Sequence, residues 1–198
     1  MAKKESTFIN MVLTLFIVAL AASTALGYIY ELTKEPIRLA KEKKVTDAVK
    51  AVLPPFDSLH VSYKLMPADE KDSLEFFPAY NAEGELVGTA VKSYTNTGFS
   101  GYIAIMAGFT KDGNISGYAI LDHKETPGLG TKMEPWFKNP DKPGRYIIGK
   151  NPSINNLTVS KDGGEVDAIT AATISARAFL DALDRAAKTL PVEKGGKK

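Results

Sequence analysis

Hydroxyl side chains cluster near the C-terminal end of the sequence, in the run Asp167-Ala-Ile-Thr-Ala-Ala-Thr-Ile-Ser175. Thr170, Thr173 and Ser175 supply the hydroxyls, and the alanines between them let another group approach the backbone closely. The run stands just before a predicted helix, whose first amides find no partner within the helix. Those amides and the helix dipole favour a phosphate at this position. Serine and threonine also cap helices routinely, so a capping role is the alternative interpretation.

The absence of cysteine restricts the redox and metal sites that the chain can form. The chain of 198 residues has no disulfide, no thiolate nucleophile and no ordinary cysteine-ligated iron–sulfur or zinc site. Its two histidines, His60 and His123, lack the close spacing of a metal-binding pair. The net charge of +2 comes from 25 basic and 23 acidic residues scattered along the chain, which form no nucleic-acid-binding patch. Any redox centre must therefore be organic.

Two nucleotide-binding motifs are incomplete. Gly144 and Gly149-Lys150 have the spacing of a phosphate-binding P-loop, but Asn151 stands where a magnesium-binding serine or threonine is required. Gly128 and Gly130 lack the third glycine of a dinucleotide-binding fingerprint. We therefore expect neither motif to bind a nucleotide in the usual way.

The N-terminal segment predicts a transmembrane anchor over residues 1–30. Residues 8–30 carry no charge, and a helix of that length spans about 35 Å, enough to cross a hydrocarbon core. A cleaved signal peptide with Lys3 and Lys4 at its start is the alternative. Five basic residues between positions 34 and 44 favour a cytoplasmic location for the following domain. Glutamates lie among them and long domains translocate largely regardless of charge, so sequence physics leaves the side of the membrane open.

The elements after the anchor predict an α+β fold class. Apolar residues at helical spacing predict an amphipathic connector over 31–55, which Pro36 interrupts and Pro54-Pro55 ends. Short strands separated by turn sequences follow and should pair mostly antiparallel; they are predicted over 61–65, 86–94, 102–109 and 115–121. A closing C-terminal helix over 174–190 completes a single domain over 56–191, and the tail over 192–198 is predicted to be disordered.

The hydroxyl run resembles the flavinylation motif of the FMN-binding domain family. That motif reads Asp, two spacers, Ser or Thr, Gly or Ala, Ala and Thr, before a segment with a further Ser or Thr. The corresponding residues are Asp167, Thr170, Ala171, Ala172, Thr173 and Ser175. The resemblance implies that a flavin transferase joins FMN to Thr173 through a phosphoester. Ala171 departs from the glycine that family members often have at its position.

Two further segments are similar to the family of the G subunit of the Rnf electron-transport complex. These are His123-Lys-Glu-Thr-Pro-Gly-Leu-Gly130, which resembles a loop after the central strands, and Thr97-Gly-Phe-Ser-Gly-Tyr102. The strand pair around Lys111-Asp-Gly113 and the single N-terminal helix extend the similarity over nearly the whole chain. The C subunit of the sodium-translocating NADH:quinone reductase has the same layout but should be longer. The resemblance implies one transmembrane helix followed by a single FMN-binding domain.

The resemblance also assigns the loop after the central strands to contact with the isoalloxazine ring. The implied cofactor-binding residues of this loop are Glu125, Thr126, Gly128, Leu129 and Gly130. Thr126 would donate to a ring oxygen, and the two glycines would expose backbone amides. Turn chemistry alone makes the same loop a plain link between elements. Trp136 is a candidate for stacking on the flavin, although a lone tryptophan is more often a core anchor.

The function implied by the resemblance is that of an electron-carrier subunit with covalent FMN. Its complex would couple electron transfer between ferredoxin and NAD to sodium or proton translocation, with the flavin doing the redox chemistry. The implied partners are other membrane and peripheral subunits of the complex, a flavin transferase for maturation and membrane lipid, with no nucleic acid. The implied location is the bacterial inner membrane, with the FMN domain on the extracytoplasmic side.

Three alternatives remain open from the sequence. The first alternative is a stand-alone anchored flavoprotein that serves extracellular electron transfer or a reductase. The second is the C subunit of the sodium-translocating NADH:quinone reductase. The third alternative is a cofactor-free binding module in which the threonine run only caps the helix. Visible absorbance and co-purification distinguish these alternatives.

Overall fold

The computed structural model describes residues 7–60, 62–66 and 73–190. The chain divides into two compact units, residues 1–44 and residues 45–198. The predicted tail over 192–198 and the first residue of the predicted strand over 61–65 lie outside the described residues.

The first helix, α1, spans Phe8–Val52. By length and composition it can cross a membrane. The large apolar side chains of its N-terminal part are exposed. The prediction that Pro36 interrupts the helix is wrong, because α1 continues through that residue. A proline removes one backbone hydrogen bond, but good helix formers surround this one and pair at helical spacing. The ion pairs join Lys34 to Glu31, Arg38 to Glu35 and Arg38 to Glu42.

Strands dominate the second unit. Among the described residues they are β1 Ser58–Leu59, β2 Tyr63–Leu65, β3 Leu74–Tyr80, β4 Leu86–Gly98, β5 Gly101–Thr110 and β6 Ile115–His123. They form one sheet in the order β1-β3-β4-β5-β6, with β2 also paired to β3, and every pair is antiparallel. A short helix, α2 (Met133–Trp136), and the closing helix, α3 (Thr173–Thr189), follow the sheet. The predicted α+β fold with an antiparallel sheet and a closing helix is confirmed.

The predicted strands do not include β3, which contains Pro78, a residue that is uncommon inside a sheet. The structure accommodates this proline at the thinly paired side of β3. The carbonyl of Pro78 accepts from the amide of His60 at 3.1 Å. Because the nitrogen and carbonyl of one strand residue face the same neighbour, the proline nitrogen also faces the β1 side, where β1 is only two residues long. On its other side β3 pairs with β4 from Glu75 to Tyr80.

The sheet is buried on both faces, which explains the almost uninterrupted apolar sequence of β5. Ile103 and Ile105 belong to the core beneath α3, whereas Ala104 and Met106 belong to a second cluster. Tyr118 lies in the core beneath α3, where burial raises the pKa of its hydroxyl. That hydroxyl donates to the carbonyl of Met133 at 2.9 Å and so ties α2 to the sheet.

The C-terminal end of α1 forms the second cluster with the opposite sheet face. Val49 and Val52 are each 1% exposed there. Two glycines make this close approach possible: a Cβ on Gly108 would lie 2.1 Å from the carbonyl oxygen of Val52, and one on Gly117 would lie 2.9 Å from its Cα. The hydroxyl of Ser116 donates to the same carbonyl at 2.6 Å. Residues 45–52 are therefore part of the domain core, although the predicted connector over 31–55 contains them.

Candidate functional site

A cleft of about 340 Å³ lies between the loop after β6, the turn joining β4 to β5, and the start of α3. Seven of the predicted site residues line it: Glu125, Thr126, Leu129, Gly130, Ala172, Thr173 and Ser175. Phe99, Ala171 and Ile174 complete the lining and are not among the predicted site residues. The fold thus brings the two predicted segments together although Glu125 and Ser175 are 50 positions apart in sequence.

Glu125 is the buried polar centre of this arrangement, with 4% of its surface exposed. The hydroxyl of Ser175 donates to its Oε2, and the amide of Ser100 donates to its Oε1 at 2.9 Å. The backbone amide of Glu125 donates to Nδ1 of His123 at 3.1 Å. Buried polar groups need such partners, because an unpaired one costs about 1–3 kcal/mol. One carboxylate therefore joins the loop after β6, the β4–β5 turn and the first turn of α3.

The two glycines of the loop serve different needs. A Cβ on Gly130 would lie 2.6 Å from both Glu125 Oε2 and Ser175 Oγ, so only glycine fits beside their hydrogen bond. Gly128 has φ +75°, a left-handed conformation that glycine adopts without strain. Its amide donates to Oγ1 of Thr131 at 2.9 Å, and it does not line the cleft. Gly128 therefore shapes the loop.

The start of α3 has no side-chain cap. The N-cap residue is Ala172, which has no hydroxyl group, and Thr173 is the first helical residue. The preceding residue, Ala171, has φ +61°, and no other non-glycine residue that the structure describes has a positive φ. This turn leaves the first amides of the helix without a side-chain acceptor. The capping interpretation of the hydroxyl run therefore finds no support at this helix start.

The three hydroxyls of the run have different environments. Ser175 is 2% exposed, and its hydroxyl is bonded to Glu125. Thr170 is exposed and does not line the cleft. Thr173 is half-buried and lines the cleft, and its hydroxyl makes no hydrogen bond to any residue that the structure describes. Thr173 thus combines an accessible hydroxyl with a place in the cleft.

Asp167 and Trp136 belong to a neighbouring cluster and do not line the cleft. The indole Nε1 of Trp136 donates to the carbonyl of Asp167 at 2.9 Å, and the Arg145 guanidinium lies 3.8 Å from the indole centroid. The amide of Asp167 donates to the carbonyl of Gly144 at 2.5 Å. Trp136 therefore anchors the segment leading into the hydroxyl run and packs against the core, outside the cleft lining.

The size and lining of the cleft are compatible with FMN. Its volume lies near the lower end of the usual range for small-molecule sites, about 300–1,000 Å³. Phe99, Leu129 and Ile174 give it apolar walls for a flat heterocycle. The uncapped helix start and the hydroxyl of Thr173 provide the environment that a phosphate group favours.

Comparisons with known proteins agree with this fit. The chain is 32% identical to the G subunit of the ion-translocating oxidoreductase complex of Aliivibrio fischeri, over 89% of this chain and 86% of that protein. It is 28% identical to the protein of the same name from Methanosarcina acetivorans, over 97% of this chain and 98% of that protein. The similarity therefore extends over nearly the full length of both relatives.

The FMN-binding domain family matches residues 98–188, a range that contains every residue lining the cleft. The crystal structure of NqrC from Shewanella oneidensis is 18% identical and has a TM-score of 0.46, covering 65% of this chain and 66% of that one. A likeness of that size supports no conclusion about function. On the strength of the sequence matches, the chain belongs to the family of the G subunits of ion-translocating oxidoreductase complexes and contains an FMN-binding domain.

Proposed function

We propose that this chain is the membrane-anchored electron carrier of an ion-translocating oxidoreductase complex, with FMN joined to Thr173 by a phosphoester. The observation that carries the proposal is the unpaired hydroxyl of Thr173, which lines the cleft at a helix start without a side-chain cap. Membership of the G-subunit family supports the electron-transport role. The coupled reaction is electron transfer between ferredoxin and NAD, linked to sodium or proton translocation.

Each part of the cleft has a task in this function. When bound, FMN supplies reversible electron transfer, while the protein supplies position and surroundings. Thr173 provides the ester oxygen, and the free amides of the first turn of α3 stabilise the charge of the phosphate. Thr126 would donate to the ring, and Leu129 would exclude water from it. Glu125 keeps the three walls of the cleft in register through Ser175 and Ser100.

The same proposal specifies partners and location. Other membrane and peripheral subunits of the complex deliver and accept the electrons, a flavin transferase attaches the FMN, and membrane lipid surrounds the apolar part of α1. The names of the relatives support the assignment of the chain to a multi-subunit complex. The domain lies on the extracytoplasmic side, where a covalent bond prevents the loss of a cofactor that is difficult to replace.

We predict that Thr173→Val abolishes covalent flavin, because valine keeps the shape of threonine but offers no oxygen for the ester. The wild-type chain, produced together with a flavin transferase, should gain the mass of one FMN less one water and a fluorescent band on a denaturing gel. The variant should show neither change. Its free energy of unfolding should differ by less than about 1 kcal/mol, since the lost hydroxyl has no protein partner.

Two variants control for indirect effects on flavin loading. Thr170→Val removes a hydroxyl outside the cleft and should reduce loading without preventing it. Ser175→Ala removes the donor to Glu125 and should lower stability while leaving FMN attached. A fluorescent band that persists in Thr173→Val, or disappears only in Thr170→Val, would show that the ester oxygen is assigned to the wrong residue.

Two measurements address the other candidate functions. A stand-alone anchored flavoprotein would purify from mild detergent without other subunits, whereas the proposed subunit should co-purify with them. A cofactor-free binding module would have no visible absorbance even after production beside an active transferase. The proposed function requires both co-purification and flavin absorbance.

A further inference from the structure

Phe99 is the most exposed aromatic residue in the described part of the second unit, with 67% of its surface accessible. It nevertheless belongs to the lining of the cleft that contains Thr173. Phenylalanine is usually buried because its large apolar surface gains free energy when it is removed from water. A side chain that is so exposed, and at the same time borders a ligand-sized cleft, is placed to be covered by what enters that cleft.

The turn that carries Phe99 is held firmly. Phe99 and Ser100 form its tip, between the paired residues Gly98 and Gly101. Gly101 has φ +94°, which favours glycine, and a Cβ on Gly98 would lie 2.4 Å from the carbonyl oxygen of Gly101. The amide of Ser100 donates to the buried carboxylate of Glu125 at 2.9 Å. The backbone next to Phe99 is therefore fastened to the floor of the cleft.

We propose that Phe99 is a flavin-contacting residue whose aromatic ring packs against the isoalloxazine and shields it from water. This inference rests on the proposed function, since it requires FMN on Thr173. Flat aromatic rings pack favourably in offset or edge-to-face arrangements, and the contact removes apolar surface of both partners from water. The anchored turn keeps the backbone of Phe99 beside the cleft, so little backbone freedom is lost when the ring contacts the flavin.

The test uses the fluorescence of the attached flavin in the full-length chain, produced with a flavin transferase and purified in detergent. Phe99→Trp should lower the fluorescence per flavin several-fold, because an indole in contact with an excited flavin quenches it by electron transfer. Tyr102→Trp is the matched control, since Tyr102 lies close by in β5 and is 40% exposed but does not line the cleft. That variant should keep the wild-type fluorescence.

A second variant measures the shielding itself. Phe99→Ala should raise the quenching constant for iodide several-fold and shift the midpoint potential, because water and ions then reach the ring. The flavin content of Phe99→Ala should equal that of the wild type, since Thr173 and the first turn of α3 are unchanged.

The inference is overturned if Phe99→Trp fluoresces like the wild type, or if iodide quenches Phe99→Ala no better than the wild type. Normal fluorescence in Phe99→Trp together with loss of co-purifying subunits would assign Phe99 to a protein interface instead. Failure of the proposed function has a different signature, because the wild-type chain itself would then carry no covalent flavin.

Discussion

Thr170, Thr173 and Ser175 have similar chemistry, but their surroundings give them different roles. The hydroxyl of Ser175 already donates a hydrogen bond to the buried carboxylate of Glu125. Thr170 lies outside the cleft. Thr173 alone among the three lines the cleft with an unpaired hydroxyl. Residue types and the resemblance to a flavinylation motif predict a reactive threonine in this run. The bond between Ser175 and Glu125 could not be predicted, because it joins residues 50 positions apart.

We predict that Ala171→Gly raises the free energy of unfolding by up to about 1 kcal/mol. Ala171 has φ +61°, a left-handed conformation that costs an L-residue about 1–2 kcal/mol. Glycine adopts it freely, although its greater freedom in the unfolded chain costs about 0.5–1 kcal/mol. Chemical denaturation of the apo domain measures the difference.

Ala176→Gly provides the control of opposite sign. Ala176 is buried within α3, where a glycine lowers stability by about 1 kcal/mol relative to alanine. A loss of stability in Ala171→Gly comparable with that of Ala176→Gly would contradict the left-handed conformation of Ala171.

At the scale of elements, periodic segments were predictable and proline-containing ones were not. The start of the closing helix is predicted at residue 174 and observed at Thr173, since its apolar spacing is strong. The predicted strands omit β3, which contains Pro78, and the predicted break in α1 at Pro36 does not occur. At Pro78 the thinly paired side of β3 requires no amide hydrogen, whereas at Pro36 the flanking ion pairs support the helix but offset only part of the cost of the proline. The packing of 45–52 on the sheet depends on distant glycines and was not predicted.

We predict that the domain needs the end of α1 for cooperative unfolding. Removing residues 1–44 should leave a sharp thermal transition, because the second unit begins at Val45. Removing residues 1–55 should lower the melting temperature markedly or abolish the transition, because it exposes the sheet face formed by Ala90, Ala104 and Met106. Circular dichroism and tryptophan fluorescence of Trp136 follow both transitions.

Gly108→Ala tests the same contact without truncation. Its Cβ would clash with the carbonyl of Val52, so the substitution should cost about 1–3 kcal/mol in the chain that begins at Val45. An unchanged melting temperature in Gly108→Ala would contradict the close approach of the Val52 carbonyl to this glycine. Equal melting temperatures for the two truncated chains would contradict the assignment of residues 45–52 to the core.

At the scale of the whole molecule, local sequence determines the anchor, the domain and their order along the chain. The cleft depends on contacts between segments that are distant in sequence: the β4–β5 turn, the loop after β6 and the start of α3. Their separate motifs are visible in the sequence, but only the fold shows that Glu125 joins them. Phe99 illustrates the limit, because its segment resembles the family while nothing local indicates that it borders the cleft.

The side of the membrane on which the domain lies is a property of the whole chain. Five basic residues follow the apolar part of α1, and this flank favours a cytoplasmic domain. Glutamates accompany them, Arg38 pairs with both Glu35 and Glu42, and long domains translocate largely regardless of charge. We therefore expect an extracytoplasmic domain, which the proposed covalent attachment of FMN to Thr173 favours. Protease added to intact spheroplasts should digest the domain, while an epitope tag placed before Met1 and a cytoplasmic marker enzyme remain protected. Digestion that begins only after lysis, or loss of the N-terminal tag in intact spheroplasts, would show instead that the basic flank determines the orientation.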